Sequence, residues 1–339
     1  MLNDIQDFVI TFTSILWEAM PFIVLGALIA GVLEEFMPQQ FIGRIIPRYA
    51  LPAVVIGGLL GLVFPMCECG IVVVMRRLLR KGLPLSCCIA YMLNGPIVNV
   101  VVLLSTYVAF GGLKPGPDAQ QAAWTMVGLR AGLGFVVACV TGLVVHYVYK
   151  KHGNRLLTAV ATPPAVPTKA DEAEGDGGRK SPWRRLANIS ETALHDFVDI
   201  TVFLILGGAL AAFAKLYIGP EQVQTLSRDY PYLAIPAMMV LAVLMTLCSE
   251  ADAFVAASFT ELTAAPKLAY LVLGPMLDLK LLMMYTRVFR PRLIAVIVAC
   301  TVVQTGIYTM LLHVWQPDLL GPTTTARTTV APAPAPPSR

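Results

Sequence analysis

Apolar residues run along this chain in long blocks, each near the ~20 residues that cross a ~30 Å hydrocarbon core as a helix. Short polar joints separate them. The blocks predict spans at 12–35, 50–67, 71–94, 95–112, 122–149, 188–217, 231–248, 250–273, 274–290 and 292–315. Backbone groups in lipid must be bonded within their own segment, so the spans are expected to be helices. The predicted class is an all-α polytopic membrane protein with eight to ten transmembrane helices. Pro65, Gly95-Pro96, Pro236 and Gly274-Pro275 fall inside spans and predict broken helices.

Composition agrees with this pattern. Hydrophobic residues make up 57% of the 339 positions and charged residues 14%, against about 25% charged in soluble domains. The net charge of +4 resides mostly in short connections, which suits anionic lipid headgroups. No basic-aromatic stripe suggests nucleic acid. Residues 1–7 carry Asp4 and Asp7 and lack a basic leader, so the first apolar block is expected to stay as a span. All seven cysteines lie in or beside apolar segments, unlike a secreted disulfide framework.

The expected organisation is a first membrane repeat over 1–149 and a basic cytoplasmic linker over 150–185. A second repeat follows over 186–315, then a Pro/Ala/Thr-rich tail over 316–339. The repeat is read by writing Cys69 over Cys248, an offset of 179. Ala90-Tyr91 then meets Ala269-Tyr270, Gly95-Pro96 meets Gly274-Pro275, and Asn99 meets Asp278. At an offset of 181, Leu25-Gly26 meets Leu206-Gly207 and Glu18 meets Asp199. Duplicated halves with helix breaks in matching places imply a solute site at the membrane midplane. Five spans per half would invert the second half. Arg44, Arg48, the linker, Arg287, Arg290 and Arg292 fit one side of that scheme. Arg76, Arg77, Arg80 and Lys81 do not. Either 71–82 is a re-entrant or interfacial helix, or the spans number eight.

Pro65-Met66-Cys67-Glu68-Cys69-Gly70 is the most informative run. Thiolates are soft ligands, so Cys67, Cys69 and Cys248 are candidate ligands for a thiophilic metal or metalloid. An isolated membrane cysteine is more often a packed apolar residue, and Cys87, Cys88, Cys139 and Cys300 are read that way. Cys248-Ser249-Glu250-Ala251-Asp252 is the matching run, with two carboxylates that need a cavity or a partner at membrane depth. The Gly-Pro breaks at Asn94-Gly95-Pro96 and Gly274-Pro275 offer free carbonyls, with Asn99 and Asp278 one turn on. Glu18, Asp199, Glu250, Asp278 and Lys280 are candidates for proton coupling or ion pairing, and Lys280 for pairing with Asp278 or another carboxylate. Arg130 is a candidate partner for a membrane carboxylate. His195, Asp196 and Asp199 share helical spacing, which suits a metal or proton site or simply a polar face. His146, His152 and His313 lack ligand spacing. No nucleotide-binding, zincin or serine-hydrolase motif occurs, and no cofactor is indicated.

These residues resemble the predicted permeases that include the organoarsenical efflux permease. The resemblance rests on Cys67-Glu68-Cys69-Gly70, the basic run to Lys81-Gly82, and Gly95-Pro96-Ile97-Val98-Asn99. In the second half it rests on Cys248 through Phe254 and on Gly274-Pro275-Met276-Leu277-Asp278, and it covers about residues 12–315. It implies a bacterial inner-membrane permease, with members linked to export of trivalent organoarsenicals or soft metals. Val72-Val73-Val74 stands where many relatives carry a proline, and Glu68 places a charge between the two thiols.

The expected function is a non-enzymatic secondary transporter exporting a small thiophilic solute. One rival is a membrane thiol-disulfide protein cycling Cys67 and Cys69 with Cys248. Another is a non-enzymatic membrane subunit that works with a partner protein.

Overall fold

The computed structural model describes residues 2–36, 49–64, 66–112, 116–158, 182–217, 233–260 and 262–316. Pro65, Arg44, Arg48, most of the linker and nearly all of the tail lie outside these residues. Among the described residues the chain forms twelve α-helices in two successions of six. The first succession is α1 Leu2–Phe36, α2 Ala50–Val63, α3 Glu68–Arg80, α4 Leu85–Asn94, α5 Val100–Ala109 and α6 Pro117–His152. The second is α7 Pro182–Tyr217, α8 Ala234–Met245, α9 Ser249–Ser258, α10 Ala264–Met276, α11 Leu279–Val288 and α12 Pro291–Trp315.

Five helical stretches are long and apolar enough to cross a membrane: Ile5–Val32, Pro117–His152, Ala187–Phe213, Ala264–Val288 and Pro291–Trp315. Shorter apolar helices accompany them at Ala50–Val63, Leu85–Asn94, Val100–Ala109 and Ala234–Met245. The outer surface is itself apolar. Leu62, Leu104, Leu194, Val303 and Leu311 are exposed, as are Trp124, Trp183 and Trp315 near helix ends. Lipid accepts such a surface, and tryptophans at helix ends suit the headgroup boundary.

Two expected spans are not single helices. The 71–94 block is two helices, α3 and α4, joined by a turn. Gly82 adopts a left-handed φ of 95°, and Leu83 N–H closes onto the Leu78 carbonyl, 3.0 Å away. Pro84 then starts α4 in place of a continued α3. The 250–273 block likewise divides into α9 and α10 at residues 259–263. A continuous hydrophobic run does not distinguish one long helix from two short buried ones, because both faces of the short ones are covered. Pro236, expected to break a span, sits in the first turn of α8, where no internal hydrogen bond is lost.

Glycines set how closely the helices approach. A Cβ at Gly57 would collide with the Cys87 backbone, and one at Gly61 with the Gly95 backbone, so α2 and α4 lie side by side and run the same way. Since α3 and α4 are joined by a tight turn, α3 runs opposite to both α2 and α4. The chain direction therefore reverses between α2 and α3 and again between α3 and α4. Gly26 of α1 rests on Gly70 of α3, where a Cβ would lie 2.8 Å from the Gly70 Cα.

The long helices pair in opposite directions. Gly31 of α1 lies on Ile189 of α7, while Gly208 of α7 lies on Ile15 and Phe12 of α1. Gln304 of α12 donates to Thr141 of α6 at 3.0 Å, and Arg290, which caps α12, donates to Leu156 just beyond α6. Both long pairs are thus antiparallel.

The reversal at 64–67 also accounts for the basic run on α3. Arg76 and Arg77 both pair with the buried Asp196 of α7, Arg77 Nε at 2.9 Å. Arg76 also reaches Asp199 at 3.2 Å, and Arg287 of α11 reaches the same carboxylate at 2.9 Å. Thr158, at the start of the linker, bonds the carbonyls of Arg287 and Val288. The α3 arginines therefore sit at the end of the molecule where the linker departs. The five-plus-five scheme places them at the opposite end from Arg287 and the linker, whereas the ion pairs bring Arg76 to the carboxylate that Arg287 also holds.

Candidate functional site

Two reversals and two helix breaks supply the chemistry. The first reversal, between α2 and α3, ends at Cys67, which caps α3; the second, between α8 and α9, begins at Thr246, whose left-handed backbone ends α8, and finishes at Cys248, which caps α9. Helix starts thus place Cys67 opposite Cys248 and Glu68 opposite Ser249. The alignment of Cys69 with Cys248 is corrected by two residues, because the stretch from the α9 start to α10 is shorter than that from the α3 start to α4. The offset of 179 holds further on, where Asn99 caps α5 and Asp278 caps α11. Asn99 Oδ1 accepts from Val101 N–H at 3.0 Å, and Asp278 Oδ1 from Leu281 N–H at 2.6 Å. Each satisfies a donor that the break leaves open.

The two reversals meet at Glu68. Ser249 Oγ donates to Glu68 Oε2 at 2.9 Å, linking the first residues of α9 and α3, 181 positions apart. Lys280 of α11 donates to Glu68 Oε1 at 2.9 Å and to the Thr246 carbonyl at 3.3 Å, and lies 3.6 Å from Asp278 Oδ2. All of these side chains are buried. An isolated charge in this medium is costly, so Glu68, Asp278 and Lys280 form a unit whose members require one another. Glu68 also sits in the first turn of α3, where the helix dipole favours a negative charge. Thr246 presents its carbonyl from a left-handed conformation, φ 49° and ψ 35°, which is strained for a β-branched residue.

A narrow cleft opens beside this unit, lined by Glu18, Phe22, Cys67, Glu68, Cys69, Thr246, Cys248 and Lys280, with Ile15 and Ala19 completing its wall. Three thiols from the two halves thus face one space. Cys248 Sγ donates to Glu250 Oε2 at 2.5 Å. Among the described residues, no group of three or more His, Cys, Asp or Glu side chains is placed to hold a metal ion. The cysteines are free thiols.

Other predicted residues lie around the cleft and outside its wall. Asn94 Nδ2 donates to the Gly58 carbonyl at 2.8 Å, fixing the end of α4 to α2. Gly95 and Pro96 follow α4, and Gly274 and Pro275 form the last turn of α10. Asp252 accepts from Tyr270 Oη at 3.0 Å. Arg130 of α6, fully buried, donates to Thr106 Oγ1 at 2.6 Å and to the Ser249 carbonyl at 2.9 Å. It forms no ion pair with a carboxylate among the described residues, contrary to its expected role. Asp199 does not join Glu18 at the cleft; it belongs to the arginine cluster, as does Asp196. His195 is exposed, and among the described residues the arginine cluster takes up Asp196 and Asp199 without it.

Thr246, Tyr270 and Thr106 were not read as site residues. Tyr270 entered only as a repeat marker, and nothing in the local sequence announces the backbone conformation of Thr246.

Fold and site together define a multi-pass helical membrane protein with a polar, thiol-bearing cleft between two helix reversals. Residues 4–314 match the predicted permease family ArsP_1, and the chain belongs to that family. It is 35% identical over 293 residues to UPF0718 protein YcgR of Bacillus subtilis (strain 168), covering 86% of this chain and 92% of that one. It is 31% identical over 306 residues to a Streptococcus mutans protein named as a two-component membrane permease complex subunit, covering 90% and 94%. No solved structure matches the chain.

Proposed function

We propose that this membrane permease is a secondary transporter that exports a small thiophilic solute, a soft metal ion or a trivalent (organo)metalloid, across the inner cell membrane. The observation that carries this reading is the convergence of Cys67, Cys69 and Cys248 on one cleft. Thiols select soft, thiophilic species over hard cations. An incomplete ligand set suits a cargo that must also leave. The two halves act as an inverted repeat, a reading supported by the opposed courses of α1 and α7 and of α6 and α12. Alternating access then rocks the halves about the Glu68–Ser249 contact. The basic end, with Arg76, Arg77 and the linker, faces the cytoplasm, in keeping with the excess of Lys and Arg there.

The name of the Streptococcus relative supports a further element. A second membrane subunit joins this chain in the working permease, and the apolar outer face accommodates one as readily as lipid.

Accumulation measurements test the solute class. Cells lacking the gene, with and without a plasmid copy, are loaded with arsenite, a trivalent phenylarsenical, Cu(I) or Zn(II). Expression is expected to lower cell-associated content of at least one of the four by severalfold. Equal content across the whole panel would remove the thiophilic-solute reading.

A further inference from the structure

We propose that Asp252 is the carboxyl group that loads and unloads a proton during transport, with Arg130 as its counter-ion once the proton has left; this rests on the transporter reading. The observation behind it is an asymmetry between the halves. Ile71 is the fourth residue of α3, and Asp252 is the fourth residue of α9. The two occupy the same niche. Ile71 packs its Cδ1 on Gly95, and Asp252 places Oδ2 on Gly274, where a Cβ would come within 2.9 Å of that oxygen. Tyr91 and Tyr270 stand four residues before those glycines. In the first half the niche is closed by an apolar side chain, and the Tyr91 hydroxyl has no hydrogen-bond partner among the described residues. Packing alone therefore does not call for a carboxyl group in the second half.

Asp252 is 3% exposed, and its Oδ2 has no hydrogen-bond partner among the described residues. An ionised oxygen left bare in such surroundings is far more costly than a protonated one. The groups that face Asp252 are Arg130 from α6, Glu68 from α3, Tyr270 from α10 and Lys280 from α11. Glu250 lies on its own helix. Lys280 is already engaged by Glu68 and Asp278, and Tyr270 donates to Oδ1. Arg130 is the one of these cations that has no carboxylate bound. It is held by the Ser249 carbonyl and Thr106, and its Nε has no partner.

The step is simple. The Oδ2–H bond breaks, the proton passes to water, and the electron pair stays on the carboxylate. The Arg130 guanidinium, still protonated, turns from the Ser249 carbonyl to Oδ2. That shifts the guanidinium from a backbone carbonyl to a side chain of the first turn of α9, the turn that touches Glu68 and carries Cys248 at its start. Proton release is thereby tied to movement of the second reversal. Reprotonation of Oδ2 returns Arg130 to Ser249.

Infrared titration of the purified full chain in proteoliposomes tests the assignment. A carboxylic-acid C=O stretching band that titrates with pH is expected in the native protein. It should vanish in Asp252→Asn, persist at a shifted frequency in Asp252→Glu, and move in Tyr270→Phe, which removes the bond to Oδ1. It should survive in Glu250→Gln. Persistence of the band in Asp252→Asn, its loss in Glu250→Gln, or a response to Na⁺ at fixed pH would overturn the proposal. Should Asp252→Asn not fold, the frequency shifts in Asp252→Glu and Tyr270→Phe decide, and an unmoved band in both overturns it. The band reports equilibrium protonation, so absence of solute export with the band intact would count against the transporter reading alone.

Discussion

Replacing Lys280 with methionine is expected to destabilise the folded protein by about 3–5 kcal/mol, the cost of stranding a buried charge by removing its partner. Glu68 and Asp278 would be left 2% exposed with no cation on them. Methionine has nearly the shape of the lysine stem, so packing loss does not account for an effect of this size. The triple replacement Glu68→Gln/Asp278→Asn/Lys280→Met keeps the volumes and removes every charge, and is expected to recover most of the loss. Denaturation of detergent-purified protein, followed by helical circular dichroism, measures both. If Lys280→Met unfolds no more readily than the native chain, these charges are not a buried unit and the centre of the fold has been misread.

The second large effect concerns the thiols. Everted vesicles carrying Cys67→Ala/Cys69→Ala/Cys248→Ala are expected to lose solute uptake by at least tenfold, while helical content and yield stay near those of the native protein. The separation follows from the contacts. Cys67 and Cys69 line the cleft, and among the described residues the Cys248 thiol bonds the neighbouring Glu250 and no member of the Glu68–Asp278–Lys280 unit. Thiol-to-methyl replacements cost little in packing. Full uptake in the triple variant would show that the cargo is not held through sulfur. Retained folding with lost uptake is the outcome that a purely structural role for these cysteines does not produce.

Much of this arrangement was legible in the chain. Hydrophobic runs revealed a helical membrane protein, and the Cys-Glu-Cys and Cys-Ser-Glu runs marked two of the places that meet. Lys280, expected beside Asp278 or a carboxylate elsewhere, lies nearer to Glu68, 212 residues away, than to Asp278. What stayed hidden has a common cause. Runs such as 71–94 are apolar whether they form one helix or two, and the Gly82 turn is what divides this one, while Asp196 and Asp199 on α7 take up its arginines. Writing Cys69 over Cys248 differs from the helix starts by two residues because α9 is shorter than α3, a difference that helix starts reveal and apolar sequence does not. The distinct niche of Asp252 emerged only from seeing Ile71 in the matching place.

The central claim is that one cleft between the two reversals opens to each side of the membrane in turn. Labelling of Cys67 tests it most directly, with the other six cysteines replaced by alanine or serine and the protein in vesicles of known orientation. A membrane-impermeant maleimide added to either side is expected to modify Cys67 slowly, and a trivalent phenylarsenical should slow both reactions. Modification from one side only, or from neither, would contradict the account.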